Sequence, residues 1–166
     1  MLLIGDHGAV KWGDAQVVTL FVLCTSAQET QLLDDVRTAL TALGEHPDLG
    51  RGRWVTAGVR LRPPRDEDEA GSLVQTAQPD DPVAGDRHGL VLEIAGRGSA
   101  RATEVVDEAV QRALCPEEFH PGPCRIPWSS MGGWPFRIDR RREVKDLYRD
   151  LFPRATHRQA RHGFRR

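Results

Sequence analysis

The chain has 166 residues, 39% hydrophobic and 28% charged, with a formal net charge of −1. That length is enough for one core of ordinary size, and the composition is that of a soluble globular protein rather than a fibrous or disordered one. A near-zero total excludes a uniformly basic nucleic-acid binder. The charge is nonetheless divided: residues 1–136 carry 12 Lys/Arg against 20 Asp/Glu, and residues 137–166 carry 11 against 4.

Residues 1–15 hold Gly5, Gly8 and Gly13 among polar groups and read as a flexible leader, with Met1–Ile4 too short for a signal-peptide core. The longest apolar run, Val17–Cys24, is far below a membrane span, so no membrane association is expected. Three cysteines are an odd number and give no complete disulfide framework, which fits a reducing, cytoplasmic setting.

Val17–Cys24 is apolar on both side-chain parities, the pattern of a strand inside a sheet. Ser26 with Glu29 three residues on reads as a capping box. Leu32, Leu33, Val36, Ala39, Leu40 and Leu43 then recur at helical spacing, and Gly44 stands where a left-handed cap belongs. Trp54–Arg62 alternates: Val55, Ala57, Val59 and Leu61 share one face, Trp54, Thr56, Gly58, Arg60 and Arg62 the other. This predicts a half-exposed edge strand ended by Pro63-Pro64. Residues 65–88 are rich in Asp, Glu, Gly and Pro and read as a long acidic loop.

Gly89–Ala95 is the second strongly apolar strand, and Val105, Val106, Ala109, Val110, Ala113 and Leu114 mark a second amphipathic helix. A last strand is expected at Trp134–Ile138, with Arg125–Trp128 as the alternative. Val144, Leu147, Tyr148, Leu151 and Phe152 give an added C-terminal helix, followed by a basic tail.

The order strand, helix, strand, strand, helix, strand resembles the ferredoxin-like βαββαβ plait, an α+β sandwich whose first and third strands are central. The expected organisation is a leader (1–15), a ferredoxin-like domain (16–138) and a helix with basic tail (139–166). The competing parallel sheet needs another crossover helix, for which residues 65–88 look too polar.

Several groups could carry chemistry. Gly96, Arg97, Gly98 and Ser99 join a strand to a helix N-terminus, where backbone N–H groups can hold an anion. The dinucleotide fingerprint is not met, because Arg101 takes the third glycine position. Cys115, His120 and Cys124, spaced C-x4-H-x3-C, suit zinc, or else a Cys115–Cys124 disulfide; the motif resembles the distal half of a zinc knuckle without its leading C-x2-C. Beyond this zinc option no cofactor is expected. Cys24 at a strand end could serve as a nucleophile, but nothing selects its histidine. Arg140, Arg141, Arg142, Arg154, Arg158, Arg161, Arg165 and Arg166 could track nucleic-acid phosphates or meet an acidic partner. Trp54, Trp128 and Trp134 sit near edges or loops, where tryptophan anchors interfaces.

No nucleophile, base and oxyanion donor assemble from these residues. The leading expectation is therefore a non-enzymatic interaction or regulatory module with a protein partner, with homodimerisation through a sheet edge or face open. The alternatives are a nucleic-acid-binding accessory protein using the arginine-rich C-terminus, and a small enzyme of the dimeric α+β barrel type with His88, Glu93 or His120 in its pocket.

Overall fold

The computed structural model describes residues 15–43, 54–78, 80–117 and 121–130. The elements are β1 (Ala15–Cys24), α1 (Ser26–Ala42), β2 (Val55–Arg62), α2 (Glu67–Thr76), β3 (His88–Arg97), α3 (Ala100–Leu114) and β4 (Trp128–Ser130), with a 3₁₀ turn at Ala84–Asp86. The strands form one antiparallel sheet in the order β2-β3-β1-β4. The two most apolar strands thus lie side by side at its centre, where apolar residues on both parities are needed.

On one face, Val18, Leu20, Val22 and Cys24 of β1 join Leu92 and Ile94 of β3. They pack against Leu32, Val36 and Leu40 of α1 and Val105, Val106, Val110 and Leu114 of α3. Both helices therefore share this side, as their apolar stripes require. Each such aliphatic side chain contributes about 1.5–3 kcal/mol by leaving water. The opposite face carries a smaller cluster of Phe21 and Val91, covered by Leu73 of α2.

α2 was not expected: residues 65–88 are not one acidic loop. Asp66 is an N-cap whose Oδ1 accepts from the Glu69 amide at 2.9 Å. Glu67, Asp68 and Glu69 then occupy the first turn, where carboxylates are favoured by the helix dipole. The acidic run is a helix start, and the buried Leu73 seats the helix on the sheet.

Two other expectations are corrected. α1 is capped one residue earlier than Ser26: Thr25 is the N-cap, and its amide donates to Gln28 Oε1 at 3.0 Å. In β2 a bulge between Thr56 and Gly58 breaks the alternation. An extra residue reverses side-chain parity, so Trp54 joins the core beside Val59 and Leu61, while Val55 points outward and is 57% exposed. Trp54, expected at an interface, is thereby placed in the core cluster. The last described strand is Trp128–Ser130; Trp134–Ile138, Gly44 and the C-terminal helix and tail lie outside the described residues.

Candidate functional site

The sheet face that carries α2 is the chemically unusual one. Cross-strand register places Arg60 of β2 opposite Glu93 of β3, and Glu93 is fully buried. Arg60 Nε donates to Glu93 Oε2 at 2.7 Å, Arg62 Nε and Nη2 donate to Oε1 at 2.9 and 2.7 Å, and Arg65 Nη2 lies 3.0 Å from Oε1. Arg62 also grips Glu69 through Nη1 and Nη2 at 2.6 and 2.7 Å. The Glu69 carboxylate in turn accepts from the Arg65 amide at 2.7 Å. Three guanidinium groups and two carboxylates thus tie β2, β3 and the start of α2 together. A carboxylate this deep is tolerable only with such charge-assisted partners.

A second buried pair lies at the far end of β3. Arg87 pairs with Asp81 through Nε. Arg87 also donates to Leu23 O at 3.1 Å, Gln28 Oε1 at 3.0 Å and Arg125 O at 3.0 Å. One guanidinium therefore fastens the end of β1, the first turn of α1 and the segment that leads into β4. The Arg62 hydrogen bond holds the Glu69 carboxyl below its ordinary range, and the Arg87 guanidinium does the same for Asp81.

Depressed carboxylate values have a definite pH consequence. The stabilisation from Glu69 and Asp81 is fully present above their ordinary values of 4.5 and 3.8 and is lost as pH falls through the lower folded-state values. Urea midpoints measured at successive pH are expected to fall steeply only on that acid side. Glu69→Gln is expected to flatten part of the fall.

Between α2 and the sheet lies a cleft of about 420 Å³, lined by Leu23, Pro64, Ala70, Leu73, Val74 and Ala77, with Gln78, Asp81 and Arg87 at one end. Val74, at its mouth, is 75% exposed. Glu67 and Asp68 on α2, and Asp80 and Asp86 near the 3₁₀ turn, are exposed carboxylates in the segments that supply its lining. Sequence reasoning passed over this cleft. Its available signal was Asp66-x-x-Glu69 followed by Ala70, Leu73, Val74 and Ala77 at helical spacing.

The residues expected to carry chemistry are dispersed. Gly96 and Arg97 end β3, and the Ser99 hydroxyl caps α3 by accepting from the Ala102 amide at 3.1 Å. A side chain at Gly96 would run into Trp54, and one at Gly98 would press on Ala102 and Trp54 at 3.1 and 3.2 Å, so packing gives both glycines a reason apart from an anion. His88 sits opposite Cys24 in the register, so the structure selects the histidine that the sequence could not. His88 Nε2, however, bonds Glu29 Oε1 at 2.8 Å. Burial first, then the Glu29 charge, push the Cys24 thiol up to about 11, which disfavours the thiolate a nucleophile needs. Glu93 and His88 point to opposite faces of the sheet and do not converge on one pocket.

Cys115 and Cys124 do come together, with their sulfurs 3.6 Å apart, and Trp128 lines a cleft with both of them. His120 lies outside the described residues. Among the described residues no group of three His, Cys, Asp or Glu side chains is placed to hold a metal ion. The arginines from Arg140 onward and Trp134 also lie outside the described residues. No helix among the described residues is long and apolar enough to cross a membrane.

The described residues define a mixed α+β protein, with a four-stranded antiparallel sheet, two helices on one face and one on the other among them. No family model, no curated protein and no solved structure matches the chain.

Proposed function

We propose that this chain is a ferredoxin-like interaction module that binds a protein partner by receiving an apolar side chain, borne on a basic segment, in the cleft between α2 and the sheet. The observation that carries this reading is the cleft itself: an apolar trough of about 420 Å³ with a largely exposed valine at its mouth. An apolar lining with few oriented polar groups is the usual make-up of a recognition pocket. The charged groups in its lining, Asp81 and Arg87, are spent on each other and on backbone carbonyls, so they shape the cleft and leave recognition to apolar contact. The exposed carboxylates Glu67, Asp68, Asp80 and Asp86 favour a positively charged segment over an acidic one.

The test is a titration of isotope-labelled protein with a short leucine–lysine peptide, followed by amide resonances. Saturable shifts confined to Ala70, Val74, Ala77 and Ala84, weakened by salt and lost in Val74→Glu, are the expected result. A leucine–glutamate peptide of the same length is expected to leave those resonances unmoved. Absence of saturable shifts, or shifts centred on another face, overturns the reading.

A further inference from the structure

The Cys115–Cys124 pair lies outside the cleft just described and has its own geometry. Cys115 is the C-cap of α3, and Cys124 follows a turn in which Gly122 takes φ +92° between two prolines. Such a φ is open to glycine at no steric cost, and it helps bring two cysteines nine positions apart into contact. Their sulfurs are 3.6 Å apart, against about 2.05 Å in a disulfide. Both thiols are partly exposed, and both line a cleft of about 630 Å³ that also contains Arg112. Cys24, by contrast, is sealed in the core.

We propose that Cys115 and Cys124 are a reversible dithiol–disulfide couple, closed by exchange with a small-molecule disulfide. One cysteine thiolate attacks a sulfur of the small disulfide, forming a mixed disulfide and releasing the first small thiolate. The second cysteine then loses its proton and attacks the protein-side sulfur, closing the Cys115–Cys124 bond and releasing the second. Two electrons pass to the small disulfide, which leaves as two thiols carrying the two protons.

The site suits this chemistry better than a metal. A closed zinc site takes four ligands, whereas two thiols in contact need only each other to close a bond; Arg112 in the same cleft is paired with Glu108 at 3.6 Å. Closure also reaches beyond the pair. The Cys124 amide donates to Gln78 Oε1 at 2.7 Å, and Gln78 Nε2 lies 3.6 Å from the Cys124 sulfur. Drawing that sulfur onto Cys115 competes with its contact to Gln78, at the C-terminal end of α2. Burial, and then the neighbouring Cys124 sulfur, raise the Cys115 thiol, so exchange is expected to quicken as pH rises above neutral.

The experiment equilibrates the full chain with glutathione buffers of graded ratio, then counts thiols and maps the linked peptides. The count is expected to fall from three to one, with a Cys115–Cys124 cross-link that dithiothreitol reverses. Amide resonances of Cys115, Cys124 and Gln78 are expected to move together on oxidation. Cys115→Ser or Cys124→Ser is expected to give a stable glutathione adduct on the remaining cysteine. Because peptide mapping of the unaltered chain reads the bond directly, the result does not depend on any variant folding. A count that stays at three in excess oxidised glutathione, accumulation of adducts without the internal bond, or a cross-link that involves Cys24 overturns the proposal. So does a stoichiometric zinc ion released only when these thiols are blocked.

Discussion

Glu93→Gln is expected to cost about 3–5 kcal/mol of folding stability, the range for removing one partner of a buried ion pair. The position makes this one of the most severe single changes available. Glu93 has no exposed surface, and three guanidinium groups converge on its two oxygens. The glutamine amide fits the same volume but turns two N–H donors toward groups that can only donate. Solvent moderates the loss, because the side chains of Arg60, Arg62 and Arg65 are 23%, 12% and 28% exposed and can swing outward, which places the expectation at the lower end. Against a total of about 5–15 kcal/mol for a chain of this kind, even that is a large fraction. Urea unfolding at pH 7 measures it. Adding Arg60→Met to Glu93→Gln is expected to recover part of the loss, since the cation opposite Glu93 in the register then disappears with its counter-charge. A loss below about 0.5 kcal/mol would class the cluster with exposed ion pairs of little weight.

The same cluster marks where the sequence stops being legible. Val17–Cys24 and Leu90–Ala95 announce central strands because both of their parities are apolar, and the sheet order honours that. The α1 and α3 stripes are equally plain, since Leu32, Val36 and Leu40, or Val106, Val110 and Leu114, must face one core. Glu93 reads only as a polar interruption of a strand. Its meaning depends on Arg60 and Arg62, some thirty residues earlier, and on the helix that turns Glu69 toward Arg62.

α2 was hidden by composition. Four consecutive acidic residues look solvated, and three of them are, Glu69 being turned in toward Arg62; their capping role appears only once Asp66 is seen closing on the Glu69 amide. Arg87 illustrates the same limit: its partners are Leu23, Gln28, Asp81 and Arg125, and three of the four are remote in sequence. The thiol pair was more accessible, because cysteines nine apart across a Pro-Gly-Pro turn are confined to one neighbourhood by chain length alone.

Gly96→Ala is expected to destabilise by about 2–3 kcal/mol, because overpacking here displaces a whole aromatic side chain. An added Cβ would sit 2.2 Å from Trp54 Cζ2 and 2.3 Å from Cε2. The indole is rigid and buried, so it cannot yield by a rotation of its tip as a long flexible side chain would. It has to leave the strand, giving up its Nε1–H bond to Thr56 Oγ1 at 2.9 Å along with its contact area. Gly71→Ala provides the contrast: nothing lies within 4 Å of a Cβ there, and in α2 alanine is expected to stabilise by about 0.5–1 kcal/mol. Paired urea titrations of the two variants, with tryptophan emission shifting to the red in Gly96→Ala alone, are the measurement. The outcome reaches further than one glycine. Trp54 lies over Gly96 only because the bulge after Thr56 reverses the parity of β2. A neutral Gly96→Ala would return Trp54 to the outer face, remove the bulge, and shift the register of β2 from Trp54 to Ala57.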